Sequence, residues 1–138
     1  MIEELIEDLH REEGWVPHAY QDHLGYWTIG PGILIDERKG GHIPRFIADQ
    51  WMMHIITQKI AELDRRIPWF ITQPDDVRRA LANMAYQMGV DGVLKFKKML
   101  LALESGDRKF AAIEALDSKW ASQTPERASR VTKLLGGE

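Results

Sequence analysis

The apolar positions near the amino terminus follow a helical period. Apolar side chains recur at intervals of three and four residues, among acidic residues, at Ile2, Leu5, Ile6 and Leu9. Side chains at this spacing fall on one face of a helix, so the pattern predicts an amphipathic helix from residue 2 to about residue 12. We expect Gly14 to end it, because glycine readily adopts the left-handed backbone common at helix ends.

After this helix the pattern changes to short β-prone segments separated by turn residues. Together they predict a small antiparallel sheet. Its expected strands are 16–21, 26–29 and 33–35. A turn is expected at 22–25, and the charged, glycine-rich residues 36–44 are expected to form a loop.

Helical periodicity then continues to the end of the chain. A long helix is expected from about residue 45 to residue 67, ending before Pro68. Three or four shorter helices follow, the third of them carrying Trp120. Their ends are marked by Pro74 and Gly89, by Asp91 and Gly106, by Asp107, and by Thr124 with Gly136.

These elements predict a mostly helical α+β fold in a single domain, residues 1–138. We expect a small β-sheet lobe at about 13–45 and a connecting helix at about 45–67. The helical lobe would comprise about 68–138 together with helix 2–12, since a helix of more than twenty residues can join two lobes.

Composition fits a folded protein of this size. The 138 residues are 44% hydrophobic and 28% charged, which is ordinary for a globular domain. There is no cysteine, which excludes a disulfide framework and a thiolate metal site. The acidic amino terminus is unlike a secretory signal, and no apolar run approaches membrane-spanning length, so membrane insertion is not expected.

The charge is unevenly distributed along the chain. Residues 1–13 hold six acids and one base, whereas residues 89–138 hold nine bases and seven acids. The second region could present a mildly basic surface to an anionic polymer such as cell wall or nucleic acid, or it could simply form solvated helix faces. The absence of interleaved aromatic residues and a pI near 6.0 argue against nucleic acid.

Two acids stand out as candidate catalytic groups, Glu13 and Asp22. Glu13 is expected at the carboxyl end of a helix, where the helix dipole favours the protonated form that a general acid needs. Glu12 is an equally good candidate on helix periodicity alone. Asp22 is expected at a turn and Thr28 on a strand, where Thr28 could hold a water or serve simply as a β-branched strand residue.

Other chemistries find little support in the sequence. The five histidines show no metal-binding spacing, and no phosphate-binding glycine motif occurs. We therefore expect neither a metal nor a cofactor.

Three separated blocks resemble the T-even phage lysozymes, glycoside hydrolase family 24. They are EGWVPHAYQDHLGYWTIGPG at 13–32, NMAYQMG at 83–89 and SKWASQTPERASRV at 118–131. The resemblance implies a lysozyme-like fold and hydrolysis of the bond between N-acetylmuramic acid and N-acetylglucosamine in bacterial peptidoglycan, in a cleft between two lobes, by an inverting reaction. The expected biological role is that of a phage or prophage endolysin.

The resemblance also implies residue roles. Glu13 matches the general acid, Asp22 the group that stabilises the reacting centre or activates water, and Thr28 the residue that positions this water. Positions that line the saccharide cleft match Leu34, Tyr86 and Gln87. Arg127 matches an arginine that pairs with the catalytic glutamate.

The chain also departs from the family pattern. Ile33 and His54 stand where an ion pair is usual, and Met99 and Glu114 occupy two saccharide-contacting positions.

The expected protein is a monomer made in the host bacterial cytoplasm without a signal peptide and released to the wall through a membrane pore. Alternatives are an inactive wall-binding or regulatory protein on the same scaffold, a lytic transglycosylase and a chitin-directed enzyme.

Overall fold

A computed structural model of the chain describes residues 1–35 and 42–138. These residues form a mostly helical α+β structure with a small antiparallel sheet near the amino terminus, which confirms the predicted fold class. In chain order the elements are α1 (Ile2–Glu13), β1 (Val16–Gln21), β2 (Trp27–Gly30), β3 (Ile33–Leu34), α2 (Arg45–Arg66), a 3₁₀ helix (Phe70–Thr72), α3 (Asp75–Leu94), α4 (Lys97–Glu104), α5 (Arg108–Leu116), α6 (Lys119–Gln123) and α7 (Pro125–Gly136).

The chain divides into two compact units, Met1–Asp49 and Gln50–Glu138. The predicted loop at 36–44 falls mostly outside the described residues, since only its last three positions are described, and these have no regular secondary structure. The lobe boundaries expected from the sequence stay a prediction.

The first unit contains α1 and a three-stranded sheet in the order β1-β2-β3. Both pairings are antiparallel; Thr28 lies opposite Tyr20 on β1 and opposite Leu34 on β3. The second strand begins one residue later than predicted, because the backbone of Tyr26 closes the turn that starts at Asp22. Thr28 is thus central in a very small sheet.

The second unit contains an extensive apolar core. Each large aliphatic side chain that leaves water contributes roughly 1.5–3 kcal/mol, so this core accounts for much of the stability of the unit. Its largest fully buried side chains are Leu63, Leu81, Met84, Met99, Leu103, Leu135, Val77, Val93 and Val131.

Gly89 ends the first of the two helical segments that make up α3, as the sequence predicted. Its backbone is non-helical (φ 79°, ψ 161°), but helical geometry resumes and α3 continues to Leu94. The residue therefore introduces a kink. Asp91, predicted to cap the next helix, lies inside α3 and accepts a hydrogen bond of 2.9 Å from Arg66.

Of two later helix starts, one agrees with the sequence prediction and the other does not. Asp107 caps α5 as predicted, because its carboxylate accepts from the backbone N–H of Phe110 at 3.1 Å. Trp120, however, lies on the separate helix α6, whose N-cap is Ser118. Within residues 1–35 and 42–138, no helix combines the length and hydropathy needed to cross a bilayer.

Candidate active site

Glu13 is the last residue of α1 and is solvent-exposed. Gly14 ends the helix with a positive φ of 74°, and its N–H donates to the carbonyl of His10 at 2.9 Å. The Glu13 side chain lies against Gly32 in the turn between β2 and β3. A β-carbon built on Gly32 would be only 2.8 Å from Oε2 of Glu13. The carboxyl group is thus placed at the end of the sheet by a close contact with backbone.

Asp22 organises the turn between β1 and β2. Its Oδ1 accepts hydrogen bonds from the backbone N–H groups of Leu24 and Tyr26, both at 2.9 Å. The main chain closes the same turn, since the Asp22 N–H donates to the Tyr26 carbonyl at 2.8 Å. Among the described residues, Oδ2 has no hydrogen-bond partner, so one oxygen holds the turn and the other is open to a ligand.

Thr28 is buried within the sheet, with only 3% of its surface exposed. Its hydroxyl donates to the carbonyl of Tyr26 at 3.2 Å. The backbone N–H of Asp22 donates to this same carbonyl, so Asp22 and Thr28 are fixed relative to each other through one oxygen atom. A hydroxyl whose hydrogen is donated in this way keeps its lone pairs for accepting hydrogen bonds.

Four of the predicted site residues therefore lie within the first unit. Leu34 lies opposite Thr28 on β3, and its side chain is 43% exposed. Asp22 precedes the start of β2, and Glu13 contacts the turn that follows its end. This small sheet thus places two carboxyl groups, one hydroxyl and one exposed apolar side chain along one short strand and its neighbour.

The other predicted site residues belong to the second unit. Tyr86 and Gln87 lie on α3 just before the kink and are exposed. Gln87 accepts a hydrogen bond of 2.8 Å from the indole N–H of Trp120. The Trp120 ring also contacts Phe96 edge-on, with ring centroids 5.9 Å apart. Gln87 is therefore held by its oxygen, and its amide N–H₂ is free to donate outward.

Arg127 is oriented by Asn83. Its Nε donates to the Asn83 side chain at 2.9 Å and one terminal nitrogen donates to the Asn83 carbonyl at 3.2 Å. Arg127, Asn83 and Tyr86 line a cavity of about 540 Å³ within the second unit. The pairing of Arg127 with Glu13 stays a prediction.

Three residues that support the site were not singled out from the sequence. Gly32 contacts Glu13, Asn83 orients Arg127 and Trp120 binds Gln87. Asn83 and Trp120 lie inside the two carboxyl-terminal blocks quoted above, which was the available signal. Trp120 was interpreted only as an apolar helix position, although a buried indole N–H generally requires a hydrogen-bond partner.

The positions that depart from the family pattern differ in exposure. Met99 is 1% exposed and belongs to the core, so it presents no surface to a saccharide, and Glu114 is partly exposed. In the first unit, Ile33 is 58% exposed on β3. The substitutions thus affect both the core and the surface.

The chain is similar to known proteins along nearly its whole length. The family model for phage lysozyme matches residues 10–134. The chain is 34% identical to the pre-baseplate central spike protein Gp5 of Enterobacteria phage T4 over 95% of its own length, but it spans only 27% of that protein. It is 31% identical to probable T4-type lysozymes 1 and 2 of Dictyostelium discoideum, over 98% of this chain and 95% of each relative.

The matched region includes every candidate site residue, from Glu13 to Arg127, and excludes only the first nine and last four positions of the chain. The family match and the two relatives covered along nearly their whole length agree with each other. The chain therefore belongs to the phage lysozyme family and is a lysozyme-type glycosidase by descent.

Proposed function

We propose that this protein hydrolyses the bond between N-acetylmuramic acid and N-acetylglucosamine in peptidoglycan, with Glu13 as the general acid. The observation that carries this proposal is the arrangement around β2. One exposed carboxyl group contacts Gly32, and the backbone of Asp22 is joined to the Thr28 hydroxyl through the Tyr26 carbonyl. Family membership supports peptidoglycan as the substrate class.

The two acids have different surroundings, which suits different roles. Glu13 is exposed at the end of α1, where it can deliver a proton to the departing glycosidic oxygen. Oδ1 of Asp22 is occupied by the turn, which leaves Oδ2 to face a water or the positive charge that develops on the sugar ring. These surroundings support Glu13 as the acid and Asp22 as the base.

Thr28 would hold the attacking water. Its hydrogen is directed at the Tyr26 carbonyl, so the hydroxyl oxygen can accept from a water that Asp22 also binds. Activation of a water by the second carboxylate gives inversion at the anomeric carbon. Proton NMR of the first product formed tests this step, because the newly released anomer has the opposite configuration to the bond that was cleaved.

The saccharide would also contact Leu34, Tyr86 and Gln87. Leu34 and Tyr86 are each 43% exposed and offer apolar surface, and a tyrosine ring can stack on a sugar face. Gln87 has its oxygen engaged by Trp120 and so would donate to a sugar hydroxyl or acetamido carbonyl.

Digestion of purified peptidoglycan, followed by mass spectrometry, tests the reaction. Reducing muramic ends support hydrolysis, anhydro ends indicate a lytic transglycosylase, and an absence of products indicates a wall-binding protein. Chitin oligosaccharides in parallel distinguish a chitin-directed enzyme.

Glu13→Gln and Glu12→Gln form a matched pair that tests the acid. Both residues are exposed near the end of α1 and both substitutions remove one charge. We expect Glu13→Gln to lower turnover by roughly 100- to 10,000-fold, whereas Glu12→Gln retains it, because only Glu13 would donate the proton. If Glu12→Gln lost turnover and Glu13→Gln kept it, Glu12 would be the general acid.

We further propose that the protein acts as a monomeric endolysin, released from the host cytoplasm through a membrane pore. Expression in a bacterium with and without a pore-forming membrane protein tests this, since lysis should depend on the pore. The similarity to a phage spike protein favours a second role, wall penetration during infection. Detection of the protein in purified virions would support that role instead.

A further inference from the structure

The outer face of α5 is apolar. Ala111 and Ala115 are fully buried and mark the face of this helix that packs on the core. Three large apolar side chains lie on the opposite side and are exposed: Phe110 at 44%, Ile113 at 61% and Leu116 at 50%. Since residues three apart are neighbours on a helix surface, these three form one continuous patch, here called the α5 stripe. A contiguous exposed apolar surface with charged residues at its rim is typical of an interaction site.

Opposite charges stand at the two ends of the α5 stripe. Lys109 precedes the central residue, Ile113, by four positions, and Asp117 follows Ile113 by four positions. Both charged residues are exposed. With a rise of about 1.5 Å per residue, each lies about 6 Å along the helix axis from Ile113, in opposite directions. The stripe is therefore apolar at its centre, with a cation towards its amino-terminal end and an anion towards its carboxyl-terminal end.

This arrangement is complementary to itself. In an antiparallel pair of α5 helices related by a two-fold axis beside Ile113, each position before Ile113 faces the position equally far after Ile113 in the second copy. Phe110 then meets Leu116, and Lys109 meets Asp117, and each of these contacts occurs twice. A parallel pair would instead place like charges against each other at both ends, which is unfavourable.

The charges of α5 favour a second copy of the chain over a membrane surface as the partner. An anionic bilayer attracts Lys109 but repels Glu114 and Asp117, which lie on or directly after the same helix. A second copy in the antiparallel arrangement pairs Lys109 with Asp117 at both ends of the stripe.

We propose that two copies of this protein associate through the α5 stripe as a weak, antiparallel, two-fold dimer. The pairing goes beyond the proposed function and does not depend on it. Three apolar side chains from each copy bury less surface than the roughly 1,200–2,000 Å² of a stable interface. The dimer therefore forms only at high protein concentration and dissociates on dilution, so the monomer remains the form that acts on the wall.

Analytical ultracentrifugation from micromolar to millimolar protein measures the association. The parent should have the mass of a monomer at the low end and approach that of a dimer at the high end. Ile113→Glu places a charge from each copy at the centre of the interface and should weaken the dimer by at least about tenfold. A parent that stays monomeric at millimolar concentration would overturn the proposal.

Leu101→Glu is the matched control. Leu101 is 65% exposed on α4 and lies outside the α5 stripe, so this variant should dimerise like the parent. Thermal unfolding checks that both glutamate variants are folded. The same loss of dimer in both variants would contradict a specific role of the stripe.

Charge reversal tests the antiparallel arrangement. Lys109→Glu opposes two acids at each end of the interface and Asp117→Lys opposes two lysines, so each variant alone should dimerise at least about fivefold more weakly than the parent. When the two variants are mixed, every opposed pair again joins an acid to a base, and the mixture should regain the parent's dimer. If the mixture stays monomeric, or if each variant alone dimerises like the parent, the antiparallel pairing is wrong.

Flotation with phosphatidylglycerol vesicles distinguishes a membrane from a second copy. At micromolar concentration the parent should bind these vesicles no better than Ile113→Glu does. Vesicle binding that is lost in Ile113→Glu and kept in Leu101→Glu, with no dimer in solution, would assign the stripe to a membrane and overturn the proposal.

Discussion

The carboxyl group of Glu13 occupies the space that a side chain at Gly32 would fill. A β-carbon at position 32 would be 2.8 Å from Oε2 and 3.0 Å from Cδ of Glu13, closer than such atoms normally approach. Gly32 also has a φ of +73°, which side-chain-bearing residues rarely adopt. The proposed acid therefore depends on the absence of a side chain in the turn that follows β2.

Gly32→Ala should impair activity more than stability. The added methyl group would displace the Glu13 carboxyl group, which can swing away because it ends a flexible side chain, and a shift of about 1 Å can lower turnover by roughly 100-fold. The positive φ adds a backbone cost of about 1–2 kcal/mol. Turnover assays and thermal unfolding measure the two effects separately.

Gly106→Ala, in the second unit, is the matched control for that substitution. Gly106 has a similar φ of +86°, but beyond its two chain neighbours no described heavy atom lies within 4 Å of a β-carbon built there. Both variants should lose similar stability, and only Gly32→Ala should lose activity. Equal activity in the two variants would show that the contact with Gly32 does not position Glu13.

Asp22 has a structural role in its turn as well as the proposed chemical one, and two substitutions separate them. In Asp22→Asn the amide oxygen can still accept from Leu24 and Tyr26, so stability should stay within about 0.5 kcal/mol of the parent. Turnover should fall by roughly 100-fold or more, because the negative charge is lost. Asp22→Ala should also lose about 1 kcal/mol for each hydrogen bond. If Asp22→Asn stays active, Asp22 has only a structural role in the turn.

The sequence predicted the elements that depend on local patterns. The apolar period with Gly14 predicted α1, β-prone segments with turn residues predicted the sheet, and Asp107 predicted the start of α5. These features arise from residues close together in the chain, so short-range rules suffice for them. The assignment of Glu13 over Glu12, in contrast, required the family resemblance, since both lie near the same helix end.

Tertiary contacts account for what the sequence did not predict. Asp91 was predicted to cap a helix, but it lies inside α3 and accepts a hydrogen bond from Arg66. The contact of Glu13 with Gly32 joins residues nineteen positions apart, and no periodic pattern in the sequence predicts it. The bond between Gln87 and Trp120 likewise links two helices. Such contacts depend on how side chains pack in the folded protein and not on their spacing along the chain.

The Asp76–Arg108 ion pair should make stability depend on pH in acid. Arg108 donates to the Asp76 carboxylate at 2.7 Å, and this hydrogen bond lowers the pKa of Asp76 below its ordinary value of 3.8, assisted by the charge of Arg108 and opposed by desolvation. A lowered folded-state pKa stabilises the protein above the unfolded pKa, and this stabilisation is lost as the pH falls through the folded value.

Asp76→Asn removes this titrating group. The difference in unfolding midpoint between the parent and this variant should therefore be largest near neutral pH and should shrink as the pH falls below about 4. Chemical unfolding across an acid pH series measures it. Asp75→Asn is a useful control, because Asp75 is exposed and pairs with Arg78 only three residues away. If the difference in unfolding midpoint between the parent and Asp76→Asn stayed constant in acid, the ion pair would not contribute to stability.

Gln87 should contribute to stability through Trp120 and to saccharide binding through its own amide group. Trp120 is 9% exposed, so Gln87→Leu leaves its indole N–H without this partner and should cost about 1–3 kcal/mol. Gln123→Leu, at an exposed position on α6, should change stability by less than about 0.5 kcal/mol.

The double variant Gln87→Leu with Trp120→Phe separates the two contributions, because it removes donor and acceptor together. Its stability should recover relative to the additive expectation, whereas KM for peptidoglycan should stay raised, since the amide that would donate to the sugar is absent in both Gln87 variants. Full recovery of KM in the double variant would mean that Gln87 acts only by orienting Trp120.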